Sequence, residues 1–276
     1  MKALKQIFDF YINSSIHVAL AVVSLSWLTL FEFQALGNKT ILYFIFFASI
    51  TGYNFVKYFG LAKFHHRSLA NWLKIIQIFS LISFVLMCYY AFQIQIKTFI
   101  YLAILGLITF LYAIPFLPKH FLYDEKQNLR SVGGIKIYVI AFVWSSVTVF
   151  IPLVNNGVHI SNEVFITALQ RFIFVIVLTL PFEIRDLKFD SLKLATIPQK
   201  IGERWTKIIG VMLLLVFYAL EYLKPEVLLK EQIVLLIIAV ITLFSLIKAN
   251  RDQGNYYSGF WVEGIPILWL LLTLFS

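Results

Sequence analysis

The chain has 276 residues, of which 61% are hydrophobic and only 13% are charged, and its mean hydropathy is +0.86. A soluble domain carries roughly 25% charged residues, so this composition excludes a soluble globular protein and predicts one integral membrane domain over residues 1–276. The net charge of +9 is typical of the inner-side excess of lysine and arginine in membrane proteins, and the sequence contains no nucleic-acid-binding signature.

Apolar stretches of about 17–25 residues, long enough to cross a bilayer, recur along the whole chain. Backbone groups inside lipid must form their hydrogen bonds internally, so each stretch is predicted to be a helix. The predicted fold is therefore all-α, a polytopic membrane protein with nine transmembrane helices. We place these helices near residues 14–33, 40–59, 72–92, 98–116, 135–154, 163–182, 207–223, 231–247 and 258–275.

The distribution of positive charge orients these helices. With the N-terminus on the inner side, eighteen of the 23 lysine and arginine residues fall in inner segments and five in outer segments. This bias predicts an inner N-terminus and an outer C-terminus, in a bacterial inner (cytoplasmic) membrane. The two longest inner connections, 117–134 and 183–206, hold the most polar residues, so we expect function at the inner face.

The first polar candidates in chain order lie at the inner end of span two. Asn54 and Lys57 end this span, and the following segment contains His65, His66 and Arg67. An asparagine near the interface is also typical of a satisfied structural polar residue, and the cations also fit a role as positive-inside anchors. Adjacent histidines do not share a helix face, so they do not favour a metal site.

The inner end of span four contains Tyr112, followed by Lys119. An aromatic residue of the interfacial belt and a positive-inside lysine explain this pair without a ligand.

The strongest local pattern follows span six, where Glu183, Asp186 and Asp190 have the spacing i, i+3 and i+7. In a helix these three carboxylates share one face and repel one another unless a cation lies between them. Hard oxygen ligands suit Mg²⁺. The alternative is an interfacial loop in which the acids pair with neighbouring cations such as Arg185 and Lys188.

Together these segments resemble the UbiA superfamily of intramembrane aromatic prenyltransferases. The stretch from Glu183 to Asp190, with Thr196, Pro198 and Gly202 after it, is similar to the second aspartate-rich motif of that family. Members have nine helices and an active site that opens to the cytoplasmic side. The predicted spans place the candidate residues in corresponding positions.

The resemblance implies roles for individual residues. Asp186 and Asp190 match the DxxxD pattern, and Glu183 stands where many members have another aspartate. These three residues are the implied metal ligands, for Mg²⁺. Tyr112 and Lys119 resemble the tyrosine and lysine that contact the diphosphate. Asp186, Asp190, Lys119 and Tyr112 are therefore the implied catalytic residues.

The first motif departs from the family pattern. Asn54 matches its opening asparagine, but Tyr58 and Ala62 stand where the next two aspartates are expected. We therefore expect fewer bound metal ions or none, and a ligand held more by protein cations. Lys57 and Arg67, with Asn54, are the candidate ligand-binding residues of this segment.

The resemblance implies a prenyltransferase that moves an isoprenoid from a prenyl diphosphate to an aromatic or other lipophilic acceptor. The loss of the first-motif acids favours an alternative, a non-catalytic protein that binds isoprenoid or membrane lipid on the same scaffold. A transporter is less consistent with the sequence, because the spans lack convincing acidic residues near mid-membrane.

Overall fold

The computed structural model describes residues 2–35, 37–58, 71–113, 134–188, 196–225 and 228–276. Within these ranges all regular structure is helical. The α-helices are α1 (Lys2–Asn13), α2 (Ile16–Glu32), α3 (Thr40–Tyr58), α4 (Asn71–Ala91), α5 (Ile96–Ala113), α6 (Ile135–Ser145), α7 (Ile151–Asn155), α8 (Asn162–Asp186), α9 (Ile197–Ala219), α10 (Leu229–Lys248) and α11 (Ile265–Phe275). π-helical turns at Ser146–Phe150 and Tyr257–Val262 precede α7 and α11, and a 3₁₀ turn at Leu220–Leu223 follows α9.

Seven helical segments of the described ranges are long and apolar enough to cross a membrane, and the bent pair α1–α2 brings the number to eight. Helix α5 is apolar over Ile96–Tyr112 but is shorter. Each of the nine predicted spans therefore coincides with a helix. The all-α, polytopic class is confirmed, and the number of nine membrane crossings stays a prediction.

Following the predicted orientation, we call the end of the bundle where α8 finishes the inner end, and the end where α8 begins the outer end. Glu183 lies in the last turn of α8 and Arg171 in its outer half. Twelve helical residues separate them, which is about 18 Å along the axis. The two charged side chains therefore belong to separate sites.

The corner between α1 and α2 lies at the inner end. The two helices meet at 55°, and Ser15 at the corner adopts a left-handed backbone with a φ of 65°. The buried carboxamide of Asn54 holds this corner, since it donates to the Ser14 carbonyl oxygen at 3.0 Å and accepts from the Ser15 hydroxyl at 2.8 Å. It also donates to the Ser80 hydroxyl at 2.7 Å, which ties α1, α2, α3 and α4 together.

Both π-helical turns precede a proline, Pro152 in α7 and Pro266 in α11. Proline has no N–H and its ring collides with the carbonyl group four residues earlier. A widened turn before the proline accommodates this collision without ending the span. The segments 135–155 and 257–275 therefore remain continuous.

Helix α8 is the centre of the bundle, with 72% of its most apolar window buried. Helix α9 approaches α8 and α10 closely because Gly210 has no side chain. A Cβ atom at this position would lie 2.3 Å from Leu246 and 2.9 Å from Leu180. Phe174 and Phe217, both fully buried, fill the adjoining space. This packing fixes α8, and with it the charged residues at its two halves.

Candidate functional site

The inner end of α8 carries a compact group of charged side chains. Lys136, in the first turn of α6, lies 2.7 Å from Glu183 and 3.9 Å from Asp186. The Arg185 Nε atom donates to Asp186 at 2.8 Å. The Glu183 side chain is only 5% exposed, so its pairing with Lys136 takes place largely out of water. We call these four residues the inner charge cluster.

Local backbone features place these residues. Gly134 has a φ of 78°, a conformation that glycine adopts without strain, and α6 begins directly after it. Lys136 therefore lies at the very start of an otherwise apolar helix. On α8, Pro181 interrupts the backbone bonding of the last turns, and the Gln253 side chain donates to the Pro181 carbonyl oxygen at 3.1 Å. Glu183 follows this anchored turn, on the same face as Asp186.

A third acid, Glu263, lies beside the inner charge cluster, on the side of α11. Glu263 follows the second π-helical turn, and it is close enough to Lys57 and Arg185 to interact with both electrostatically. Tyr53 in α3 is within electrostatic range of Glu263 and Tyr112. Helices α3, α5, α6 and α8 and the turn before α11 therefore converge at one place.

Among the described residues of this region, three carboxylates face three cations. The acids are Glu183, Asp186 and Glu263, and the cations are Lys136, Arg185 and Lys57. Such a balanced group can receive an anion when the cations exchange a carboxylate partner for the incoming oxygens. Lysine and arginine are both suited to phosphate oxygens, lysine as a point charge and arginine through its planar fork.

Aromatic side chains border the same region. The Trp144 indole N–H donates to the Tyr53 hydroxyl at 2.6 Å, and the Arg185 guanidinium lies over the Phe182 ring, 5.3 Å from its centroid. Tyr112 is buried and lies within electrostatic range of Lys136. Ring faces of this kind attract positive charge. The site therefore combines cations for an anionic group with aromatic faces beside them.

The structure brings together some of the residues that the sequence singled out. Glu183, Asp186, Tyr112 and Lys57 all lie at the inner charge cluster or within its electrostatic range. Asn54 is close by in sequence to Lys57, but its two N–H groups donate to Ser14 and Ser80 at the α1–α2 corner. Its role as a ligand-binding residue stays a prediction.

The altered first motif is also tied to this corner. The Tyr58 hydroxyl donates to the Asn13 carbonyl oxygen at 2.8 Å, and Lys57 reaches the same oxygen at 3.3 Å. At this position the chain has a structural hydrogen bond where the resemblance led us to expect an acid. Asp190, Lys119 and Arg67, together with Ala62, lie outside the described residues, and their predicted roles stay predictions.

The donor set does not by itself fit a magnesium site. In the described part of the chain, no three aspartate, glutamate, histidine or cysteine side chains come together as metal ligands. Glu183 and Asp186 already share the ammonium group of Lys136. A divalent cation would have to displace this lysine, and Asp190 would have to supply further oxygens. The predicted Mg²⁺ site therefore stays a prediction.

Two residues of this site, Lys136 and Glu263, are not among the candidates that the sequence singles out. Lys136 is one of the inner positive charges, and Glu263 lies within the last predicted span, 258–275. A signal was present in both cases, because each is a lone ionisable residue within or at the start of an apolar run. Such residues usually face a partner in the bundle, and α8 with its two acids is the most buried neighbour.

The complete chain is similar to a known structure. A solved structure of a digeranylgeranylglyceryl phosphate synthase in membranes matches it with a TM-score of 0.57 and 17% sequence identity, over 98% of this chain and 98% of that chain. No protein-family model and no characterised protein matches the sequence. The structural likeness confirms the predicted all-helical membrane fold, and this chain therefore has a fold similar to that of the digeranylgeranylglyceryl phosphate synthase.

Proposed function

We propose that this protein binds a prenyl diphosphate at the inner charge cluster and transfers its isoprenoid to an aromatic or other lipophilic acceptor. The observation that carries the proposal is the convergence of Lys136, Arg185 and Lys57 on the carboxylates of α8 and Glu263 at one end of an apolar bundle. The similar fold of a synthase whose named product contains isoprenoid groups supports it.

The arrangement suits the heterolysis of a prenyl diphosphate. The bond between the allylic carbon and the diphosphate oxygen breaks, and its electron pair leaves with the diphosphate. Lys136, Lys57 and Arg185 are placed to stabilise the charge that develops on the leaving oxygens, which lowers the barrier. The allylic cation is stabilised by ring faces such as that of Tyr53, until an acceptor carbon or oxygen attacks and releases a proton.

We further propose that lysine and arginine side chains bind diphosphate oxygens that metal ions would bind in a site with both acidic motifs intact. Tyr58 takes the place of a first-motif acid, and Lys136 already neutralises Glu183 at 2.7 Å. A diphosphate therefore meets lysine and arginine directly. Binding of the diphosphate is expected to depend less on Mg²⁺ than in a site built from two acidic clusters. Asp186 and Asp190 are the remaining ligands that we propose for the metal ion.

A second candidate function is binding of an isoprenoid or lipid phosphate without turnover. The observation that favours it is the hydrogen bond from Tyr58 to the α1–α2 corner, since this first-motif position now stabilises the fold. Under this alternative the inner charge cluster still holds an anionic head group. The two candidates therefore differ in product formation and agree on binding.

The test uses the purified full chain with radiolabelled geranyl, farnesyl or geranylgeranyl diphosphate and a membrane lipid extract, with Mg²⁺ or with EDTA. We expect labelled lipid product with Mg²⁺ and measurable prenyl diphosphate binding in EDTA. Lys57→Ala is expected to weaken this binding by about 1–3 kcal/mol, the range of a charge-assisted hydrogen bond. Asp186→Asn is expected to weaken it less.

The outcomes separate the candidates. Binding without product, for every donor and extract, supports the non-catalytic alternative. Binding that disappears in EDTA, with Asp186→Asn more damaging than Lys57→Ala, shows that a full metal cluster persists. No binding of any prenyl diphosphate contradicts both candidates.

A further inference from the structure

A cavity of about 220 Å³, lined by both charged and apolar side chains, lies at the outer end of the bundle, away from the inner charge cluster. Residues of α2, α8, α10 and α11 and of the turn after α9 form its walls, and the exposed side chains of Phe31 and Lys230 lie at its edge. A cavity of this size is large enough to admit a small polar group.

Two of the carboxylates in its wall are already satisfied. Lys224 lies 2.5 Å from Glu32 and 2.9 Å from Glu221. Glu32 also accepts from the Thr167 hydroxyl at 3.0 Å, and Glu221 accepts from the Gln170 amide at 2.9 Å. These two acids therefore have cationic and neutral donors of their own.

Arg171 has no such partner. It is only 2% exposed, and its buried Nε and Nη1 atoms donate no hydrogen bond to any residue that the structure describes. Its guanidinium lies over the Trp269 ring, 4.6 Å from the centroid, and both residues line the cavity. Thr167 donates to Glu32 at the end of α2. Arg171 follows Thr167 by four residues on α8, so it lies about 6 Å further along the helix axis, toward the inner end.

A buried charged donor without an acceptor is costly, and ionisable groups inside a membrane bundle usually have a functional partner. The guanidinium fork matches the paired oxygens of a phosphate or a carboxylate. Glu32 and Glu221 balance the charge of Arg171 from a distance without accepting its hydrogen bonds. The cavity therefore lacks an acceptor that reaches Nε and Nη1.

Glu231, in the first turn of α10, lines the same cavity and is half-buried. It forms no hydrogen bond and no ion pair within 4 Å with the described residues, although it lies within electrostatic range of Glu32 and Glu221 and of Lys224 and Lys230. The cavity thus presents a buried cation without a hydrogen-bond acceptor, Arg171, and a carboxylate without a direct partner, Glu231. Its lining acids (Glu32, Glu221, Glu231) and bases (Arg171, Lys224, Lys230) are equal in number.

We propose that this outer cavity binds a zwitterionic phosphate–amine group, with the phosphate oxygens on Arg171 and the primary ammonium on Glu231. A zwitterion satisfies both groups and leaves the cavity neutral, whereas an anion alone would leave Glu231 facing surplus negative charge. Phosphoethanolamine has this chemistry, either as the head group of a membrane lipid or as a free small molecule.

The test measures the thermal stability and Trp269 fluorescence of the purified full chain in detergent. The added ligands are short-chain phosphatidylethanolamine, phosphatidylglycerol, phosphatidylcholine or free phosphoethanolamine. We expect the ethanolamine lipid to bind about tenfold or more tightly than the glycerol or choline lipid, because a charge-assisted hydrogen bond contributes roughly 1.5–3 kcal/mol. Trp269→Phe should remove the fluorescence change, which would show that the ligand binds beside Trp269.

Variants assign the preference to named residues. Glu231→Gln should abolish the preference, because only the primary ammonium of the ethanolamine lipid is bound by Glu231. Arg171→Met should abolish binding of all three lipids, which share the phosphate, and Arg171→Lys should weaken it. The matched control is Lys39→Met, since Lys39 is an exposed outer lysine that also lies over a tryptophan ring, that of Trp27, and this variant should leave the preference unchanged.

Two results support the proposal and identify the source of the ligand. Free phosphoethanolamine that competes with the lipid indicates a soluble ligand, and binding of the lipid alone indicates a head group held at the membrane surface. Equal binding of all three lipids, a preference that survives in Glu231→Gln at wild-type strength, or an unchanged lipid affinity in Arg171→Lys overturns the proposal. Arg171→Lys and Glu231→Gln keep this test valid if Arg171→Met does not fold.

Discussion

Two lysines at opposite ends of the bundle have closely similar surroundings. At the inner end, Lys136 lies 2.7 and 3.9 Å from the two carboxylates of α8. At the outer end, Lys224 lies 2.5 and 2.9 Å from Glu32 and Glu221. Each group of one lysine and two acids carries a net negative charge, so each needs a further cation nearby.

The difference lies in how this further cation is used. At the inner end Arg185 donates directly to Asp186 at 2.8 Å. At the outer end Arg171 is near enough to balance the charge, but two of its buried nitrogens donate to no described residue. Equal charge counts therefore give an internally paired cluster at one end and an open donor group at the other. The unpaired donor nitrogens of Arg171, which a count of charges does not show, distinguish the outer end from the inner one.

The largest effect is expected from a test of the orientation on which this comparison rests. Reporter fusions after Phe33 and after Ser276 should both report the outer side of the membrane. The physical reason is the positive-inside bias of eighteen of the 23 lysine and arginine residues. An inner-side signal from the second fusion alone would mean that the number of crossings is even, and the ends of the later helices would exchange sides.

The next effect separates the two lysines by function. Lys136→Met should lower prenyl transfer about tenfold to hundredfold, because it removes a charge-assisted contact to the leaving diphosphate. The matched variant is Lys224→Met, which removes an equivalent lysine from the outer end and should leave transfer by the folded protein within about twofold. Initial rates per folded protein give the comparison.

A result in which both variants reduce transfer equally would show that the two lysines act only through stability. In that case the inner charge cluster has no direct part in the reaction. Measuring the melting temperature of both variants in the same detergent separates this outcome from the expected one.

A smaller effect is expected at Asn54, and it tests whether this residue holds the fold or the ligand. Asn54→Ala leaves the Ser14 carbonyl and two serine hydroxyls without their partner in the α1–α2 corner. Loss of buried hydrogen bonds of this kind costs about 1–3 kcal/mol, so the melting temperature should fall by several degrees. Prenyl diphosphate affinity of the folded fraction should change less than threefold, about 0.6 kcal/mol. An unchanged melting temperature with a large loss of affinity would instead make Asn54 a ligand contact.

The fold was predictable because membrane spans have a one-dimensional signature. A run of about 20 apolar residues has to cross the bilayer as a helix, whatever its neighbours are. The acids after span six were predictable in the same way, since Glu183 and Asp186 share a helix face at a spacing of three residues. All of these inferences depend only on residues close together in the chain.

Partner choice across helices was not predictable, because it depends on the rotation and depth of each helix. Lys136 pairs with Glu183 since α6 begins directly after Gly134 and α8 finishes at the same level. Asn54 faces the α1–α2 corner because Ser15 turns the chain through a left-handed conformation. A single asparagine or lysine in an apolar run shows that a partner exists, but its identity follows only from the packed bundle.

The smallest effect concerns the pH dependence of the outer lysine. Burial alone lowers the pKa of Lys224, but the neighbouring carboxylates of Glu32 and Glu221 raise it by more, so the pKa lies above its ordinary value of 10.5. A lysine whose pKa is raised on folding contributes stability that is fully present below the unfolded-state pKa and is lost as the pH rises through the folded-state pKa.

The melting temperature of the wild type should therefore exceed that of Lys224→Met by a constant amount up to about pH 10. Above the ordinary pKa of 10.5 the difference should shrink, because Lys224 of the unfolded chain has lost its proton and folding must take that proton up again, which costs more as the pH rises. Thermal denaturation in detergent between about pH 7 and pH 11.5 measures this, with Lys39→Met as the control for an exposed outer lysine. A difference that already disappears near neutral pH would show that the carboxylates, not Lys224, change their charge in this range.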